Sequence, residues 1–225
     1  MSAWVPRVAL GAIAIVLVGI VISIAVGEGG PEPRGVSGAN DVQRIFGGIA
    51  QDGAELGRDD AEVTVRVFND LQCTSCAGYQ VETVEPLVEE YARTGDARLE
   101  LRHFSIGPHR TTLAALAATA AGEQGYQWQF ADLFVRNQAL VEAEGVDDEL
   151  LREVAEAVLG LDVPEWEAAL DDPGIAERVE ADADLAAELG LPAEPAVVVE
   201  GPGGAVELTE SPALGEIEAA IAQVG

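Results

Sequence analysis

Two cysteines, and only two, stand in this 225-residue chain, three positions apart at Cys73-Thr74-Ser75-Cys76. The run before them, Val63-Thr64-Val65-Arg66-Val67-Phe68, alternates as a strand does, and residues 77–93 carry apolar side chains at helical spacing. A C-x-x-C at a strand-to-helix junction reads as a redox site. Cys73 falls at the helix N-terminus, where unpaired backbone N–H groups and the helix dipole stabilise a thiolate, the form that exchanges disulfides. Cys76, one turn later, is in reach to close a disulfide or to release a mixed one. The competing readings are half of a metal site and an idle structural pair. Zinc asks for four Cys or His ligands, and the chain offers only His103 and His109 and no second C-x-x-C, so redox chemistry is favoured. Both histidines lie beyond the second strand or at the boundary of the helical stretch, and read as structural.

The charge balance excludes one class of partner. Forty acidic residues against 12 basic ones, all arginine, give a net charge of −28. A field this negative repels phosphate backbones, so nucleic-acid binding is not expected.

The N-terminus predicts a membrane anchor. Residues 8–26, VALGAIAIVLVGIVISIAV, carry no charge, and a bilayer core takes about 20 apolar residues in a helix. Arg7 precedes the run and Glu28 and Glu32 follow it, which places residues 1–7 in the cytoplasm and residues 27–225 outside. Ser23-Ile24-Ala25 would suit signal cleavage, but the apolar run exceeds the usual length for that, so an uncleaved single-pass anchor is expected. The dithiol then faces an oxidising compartment, where disulfides persist.

Residues 27–60 read as a Gly/Pro-rich linker and lead-in, with a short helix at 42–49 that packs on the domain or lies along the membrane, and a polar turn at 53–60. Residues 62–69 form the first strand, with Arg66 toward an exposed side. The following helix meets Pro86, where a kink is expected. Arg98 to Phe104 alternates again as a second strand, parallel to the first across the helical crossover. Helical character then fills about 108–190. Its stretches are 111–122, with Leu113, Leu116, Ala117 and Ala120 in step; 125–140, whose aromatics read as core; a helix capped by Asp147, with Leu150, Val154, Val158 and Leu159 on its face; a short one from Pro164; and 173–189. A hairpin at 196–200 and 205–209 follows, then a closing helix with Ser211 as N-cap and Pro212 at its first position.

Strand, C-x-x-C helix, strand, helical insertion, hairpin, helix: over residues 50–224 this order resembles the DsbA-like thiol:disulfide oxidoreductases, an α/β thioredoxin-like fold with an inserted α-helical subdomain. The likeness rests on Asp52-Gly53…Leu56-Gly57 before the first strand, Asp70-Leu71-Gln72-Cys73-Thr74-Ser75-Cys76, Arg102-His103-Phe104, Glu123-Gln124-Gly125…Trp128…Leu133-Phe134…Asn137-Gln138, and Leu189-Gly190-Leu191-Pro192-Ala193-Glu194-Pro195. The expected organisation is a cytoplasmic N-terminus (1–7), a transmembrane helix (8–26), linker and lead-in (27–60) and the thioredoxin-like domain (61–225).

The resemblance implies that Cys73 exchanges with substrate and Cys76 resolves. It implies that Pro195 is cis beside the dithiol, leaving the backbone of Glu194 to pair with an extended client chain. No cofactor beyond the Cys73–Cys76 disulfide is implied. It implies cysteine-containing exported proteins as clients and a quinone-linked membrane partner that reoxidises the dithiol. Three positions depart from the family pattern. Thr74 stands where proline is frequent, Ser75 where strong oxidases carry histidine, and Val67 where many thioredoxin-like proteins bury an acid. Thr74 and Ser75 modulate the site with hydroxyl donors but no positive charge, so a weaker pull on the Cys73 thiolate is expected. Within the same fold a reductase or isomerase is the alternative, and from another class a non-catalytic binding module or chaperone.

Overall fold

The computed structural model describes residues 35–105 and 112–225, with backbone alone at 74–76 and 144. The expected membrane segment 8–26 and His109 lie outside the described residues, and within them no helix is long and apolar enough to cross a membrane. In chain order the elements are α1 (Ala39–Phe46), β1 (Gln51–Asp52), β2 (Glu55–Leu56), β3 (Thr64–Asn69), a helical path α2 (74–92), β4 (Arg98–His103), α3 (Leu113–Gly122), α4 (Gln127–Arg136), α5 (Gln138–Glu144), α6 (Asp148–Ala157), α7 (Val163–Leu170), α8 (Pro173–Glu188), β5 (Ala196–Gly201), β6 (Gly204–Leu208) and α9 (Leu214–Val224).

Among the described residues the strands form one six-stranded sheet in the order β1-β2-β4-β3-β5-β6. β3 lies at its centre, parallel to β4 and antiparallel to β5. The alternation read from the sequence sets the faces. Val65 pairs with Leu99 and Val199, and Val67 with Leu101 and Val197; all six are buried. Fully burying an aliphatic side chain of this size is worth about 1.5–3 kcal/mol, so this row fixes the register. The insertion packs through its aromatics, as expected: Trp128 lies against Phe46 (centroids 6.1 Å apart) and Phe130 against Trp166 (5.8 Å). Both indole N–H groups find backbone oxygens, Trp128 on Ala54 and Trp166 on Ala117.

Several local expectations are corrected. Residues 53–60 are not merely a turn: β1 and β2 form a hairpin that extends the sheet at β4, turning at Gly53 with φ of +53°. Strands of two residues are too short to show alternation. The helix expected at 42–49 is Ala39–Phe46, and it packs on the domain with Val42, Ile45 and Phe46 buried. The Arg93 guanidinium donates to the carbonyls of Arg44, Ile45 and Gly47 at its C-terminal end. Residues 125–140 are two helices meeting at Asn137 rather than one. Leu113 and Leu159 are exposed rather than in the apolar stripe. The closing helix starts at Leu214, with the Ala213 N–H donating to the Glu216 carboxylate at 2.8 Å. Ser211 instead takes a left-handed conformation, φ 61°. Around Pro86 the path widens into π turns at Gln80–Val84 and Val88–Ala92 and continues. A proline cannot donate to the ladder, and wider turns accommodate it without ending the helix.

The polar side of β3 and β4 is not a solvated face. Glu100 is buried, and its Oε2 accepts from Arg66 Nε at 2.7 Å and Arg102 Nη2 at 2.8 Å. Arg66 also pairs with Glu200. Asp182 of α8 accepts from Arg102 Nη1 and from the His103 backbone N–H, both at 3.0 Å, tying the insertion to β4.

Candidate active site

The site is built where β3 gives way to α2. Asp70 Oδ1 accepts the Gln72 N–H at 2.9 Å, a side-chain turn, and the Asp70 carbonyl accepts the Cys73 N–H at 3.1 Å. Leu71 is buried beneath, and its carbonyl accepts from Gln138 Nε2 at 2.6 Å. Helix α2 begins at Thr74, so Cys73 occupies the place directly before its first turn. This is where the dipole and unpaired N–H groups favour a thiolate. Cys73 is half-buried and disulfide-bonded. Thr74, Ser75 and Cys76 form the first turn of the helix.

The Glu194–Pro195 peptide is cis. Pro195 is buried and Glu194 half-buried. The Pro195 carbonyl accepts the Ser211 N–H at 3.1 Å, which gives the left-handed Ser211 a structural task. The pair Phe68–Ala196 ends the β3–β5 ladder, so Pro195 and the Asp70–Cys73 turn emerge at the same end of the sheet.

Beneath the turn the chain places no acid at position 67: Val67 is fully buried in the apolar row. The buried polar groups lie one step further along the same face, Asn69 on β3 and its register partner His103 on β4. Burial pushes the His103 pKa down to about 4, against the pull of Asp70, so its ring is neutral at physiological pH. Among the described residues no cluster of His, Cys, Asp and Glu could hold a metal ion. Three supports of the site were not assigned from sequence: Gln138, Asn69 and Asp182. Gln138 belongs to a stretch that carried the family resemblance, but its contact with Leu71 spans 67 positions and no local pattern announces it.

The comparisons agree with this geometry. A family profile described as Thioredoxin matches residues 50–219. The probable disulfide bond formation protein D of Bacillus cereus is 32% identical over 149 residues, covering 65% of this chain and 69% of that protein. Among solved structures, oxidised BdbD from Bacillus subtilis superposes with a TM-score of 0.61 at 22% identity, over 78% of this chain and 96% of that one. Wolbachia pipientis alpha-DsbA1 superposes with a TM-score of 0.63 at 19% identity, over 83% and 96%. The two structures share the fold, and the profile and the relative carry the descent: the chain belongs to the thioredoxin family, among its DsbA-like thiol:disulfide oxidoreductases.

Proposed function

We propose that this protein introduces disulfides into exported proteins through Cys73 and Cys76, with its domain held outside the membrane by residues 8–26. The observation that carries the reading is the position of Cys73, disulfide-bonded and directly ahead of α2, at the sheet end where the cis Pro195 loop also emerges. Cys76, the chain's other cysteine, is its partner. A client thiolate attacks Cys73 Sγ, the Cys73–Cys76 bond breaks, and Cys76 leaves as a thiolate. The client's second thiolate then attacks its own sulfur in the mixed disulfide and releases Cys73. The client loses two electrons and two protons, and the dithiol receives both electrons. A quinone-linked membrane partner takes them on. The backbone of Glu194 pairs with an extended client segment during exchange.

Trapping tests this. With Cys76→Ser in the full chain and Cys73 first loaded as a mixed disulfide with glutathione, a client peptide carrying one cysteine should displace glutathione and remain as a mixed disulfide on Cys73, and Cys73→Ser treated the same way should form none. An adduct that forms equally in both variants, or in neither, would overturn the assignment. The uncharged Thr74 and Ser75 favour a reductase of the same fold as the second reading, and the reduction potential separates the two.

A further inference from the structure

Asn69 and His103 end two neighbouring strands, paired in register on the face that carries Val67 and Leu101. Both side chains are buried. Both polar atoms of the Asn69 amide and Nδ1 of His103 lack a hydrogen-bond partner among the described residues. Folded proteins seldom leave such atoms unsatisfied without an ordered water. A cavity of about 10 Å3 opens where they meet, bounded also by Asp70, Leu71 and Thr112. That is the least room one water takes, and three polar atoms are within its usual number of partners. The ring's state is defined as well. Gln127 Nε2 lies 3.2 Å from His103 Nε2. With the amide donating there, the neutral ring carries its proton on Nδ1, the nitrogen without a partner.

We propose that one water fills this cavity, accepts from His103 Nδ1–H and donates to the side-chain oxygen of Asn69, and so fixes the turn that carries Cys73. Asn69 leads directly into Asp70, and its carbonyl accepts the Phe104 N–H at 3.1 Å, so the hydrated pair closes β3, β4 and the turn into one unit. Asn69 and His103 are positioning residues. The hydration site stands on geometry alone; its effect on disulfide exchange rests on the function proposed above.

The chain's two histidines make the test tractable. In full-length protein with 15N-labelled histidine, His103 should report the Nδ1–H tautomer with a magnetisation-transfer peak to a bound water. Asn69→Leu keeps the branched shape but accepts nothing; it should lose that peak and let the Cys73 amide exchange with solvent about tenfold faster. Asn69→Ser keeps an oxygen and adds room for water, and should retain the peak and most of the protection. A purely volumetric role predicts the reverse order, with the serine variant the worse. Absence of the water peak in the wild type, or wild-type amide protection in Asn69→Leu, would overturn the proposal. The rate at which Cys73 exchanges with a client peptide should fall with amide protection. A wild type with no exchange would sink the proposed function, while the water peak and the amide rates would still decide the hydration site.

Discussion

Gln138 of the helical insertion donates its side-chain N–H to the carbonyl of Leu71 at 2.6 Å, so an element inserted into the fold holds the turn that presents the dithiol. The bond is buried, away from bulk solvent. Gln138→Met keeps the length and shape of the side chain and removes the donor. It should cost about 1–3 kcal/mol in denaturant unfolding, the penalty for stranding one buried acceptor. It should also slow exchange at Cys73, because the turn loses its anchor.

Glu100 makes a stronger claim on stability. Burial pushes its carboxyl up, but the hydrogen bond and charge of Arg102, then those of Arg66, outweigh burial and hold it below the usual range. Glu100→Gln leaves the guanidinium groups of Arg66, Arg98 and Arg102, all partly buried, around a neutral amide and should cost about 3 kcal/mol. The pH sign follows from the lowered pKa. The contribution is complete above the unfolded carboxylate value and is lost as pH falls through the folded one. The acid limb of the stability profile should therefore be shallower in the variant, measured by urea unfolding between pH 5 and pH 3.

The Glu85–Asp132–Arg136 group behaves oppositely. Arg136 pairs with both carboxylates, and Asp132 also accepts from Gln80. Burial first, then the neighbouring Asp132 charge, push the Glu85 carboxyl up to about 7 despite Arg136. A raised folded pKa gives stability that is present below the unfolded value and lost as pH rises through about 7. Relative to Glu85→Gln, the wild type should lose about 1 kcal/mol between pH 5 and pH 8, a figure reduced for the group's partial exposure. Equal pH slopes in the two proteins would remove the cluster from the account.

His103 adds a second acid-side dependence. Its folded pKa of about 4 lies below the ordinary histidine value of 6.5. Neutral burial is therefore favourable above 6.5 and is lost progressively as pH falls toward 4. His103→Gln should remove about 2–3 kcal/mol of this acid dependence. Unfolding midpoints at pH 7 and pH 4.5 in the two proteins are enough to see it.

What the sequence disclosed follows from range. The alternation at Val63–Phe68, the helical period after the dithiol, the cap at Asp147 and the proline at 164 are local, and the strands and helices they announce are present, the last starting one residue earlier, at Val163 behind an Asp162 cap. The place of Cys73 before a helix and the cis bond at Pro195 were legible because C-x-x-C and the loop before the hairpin are short motifs. The surroundings of Arg66 were not read correctly: expected toward an exposed side, it is partly buried against the buried Glu100. Arg66, Arg98, Glu100 and Arg102 alternate as an exposed edge would, and only α8, about 80 positions later, supplies Asp182. The β1–β2 hairpin was hidden by its brevity. Ser211-Pro212 has the signature of a helix start, but the Ser211 N–H is committed to the Pro195 carbonyl, and the helix begins later.

On the function proposed above, the dithiol gives disulfides rather than removes them. The reduction potential of the Cys73/Cys76 couple, measured in the full chain against a glutathione buffer, tests it most directly. Thioredoxin-fold dithiols run from about −270 mV for a strong reductant to about −120 mV for a strong oxidant. A value nearer −120 mV is the result expected here. A value near −270 mV would contradict the account and make the protein a reductase.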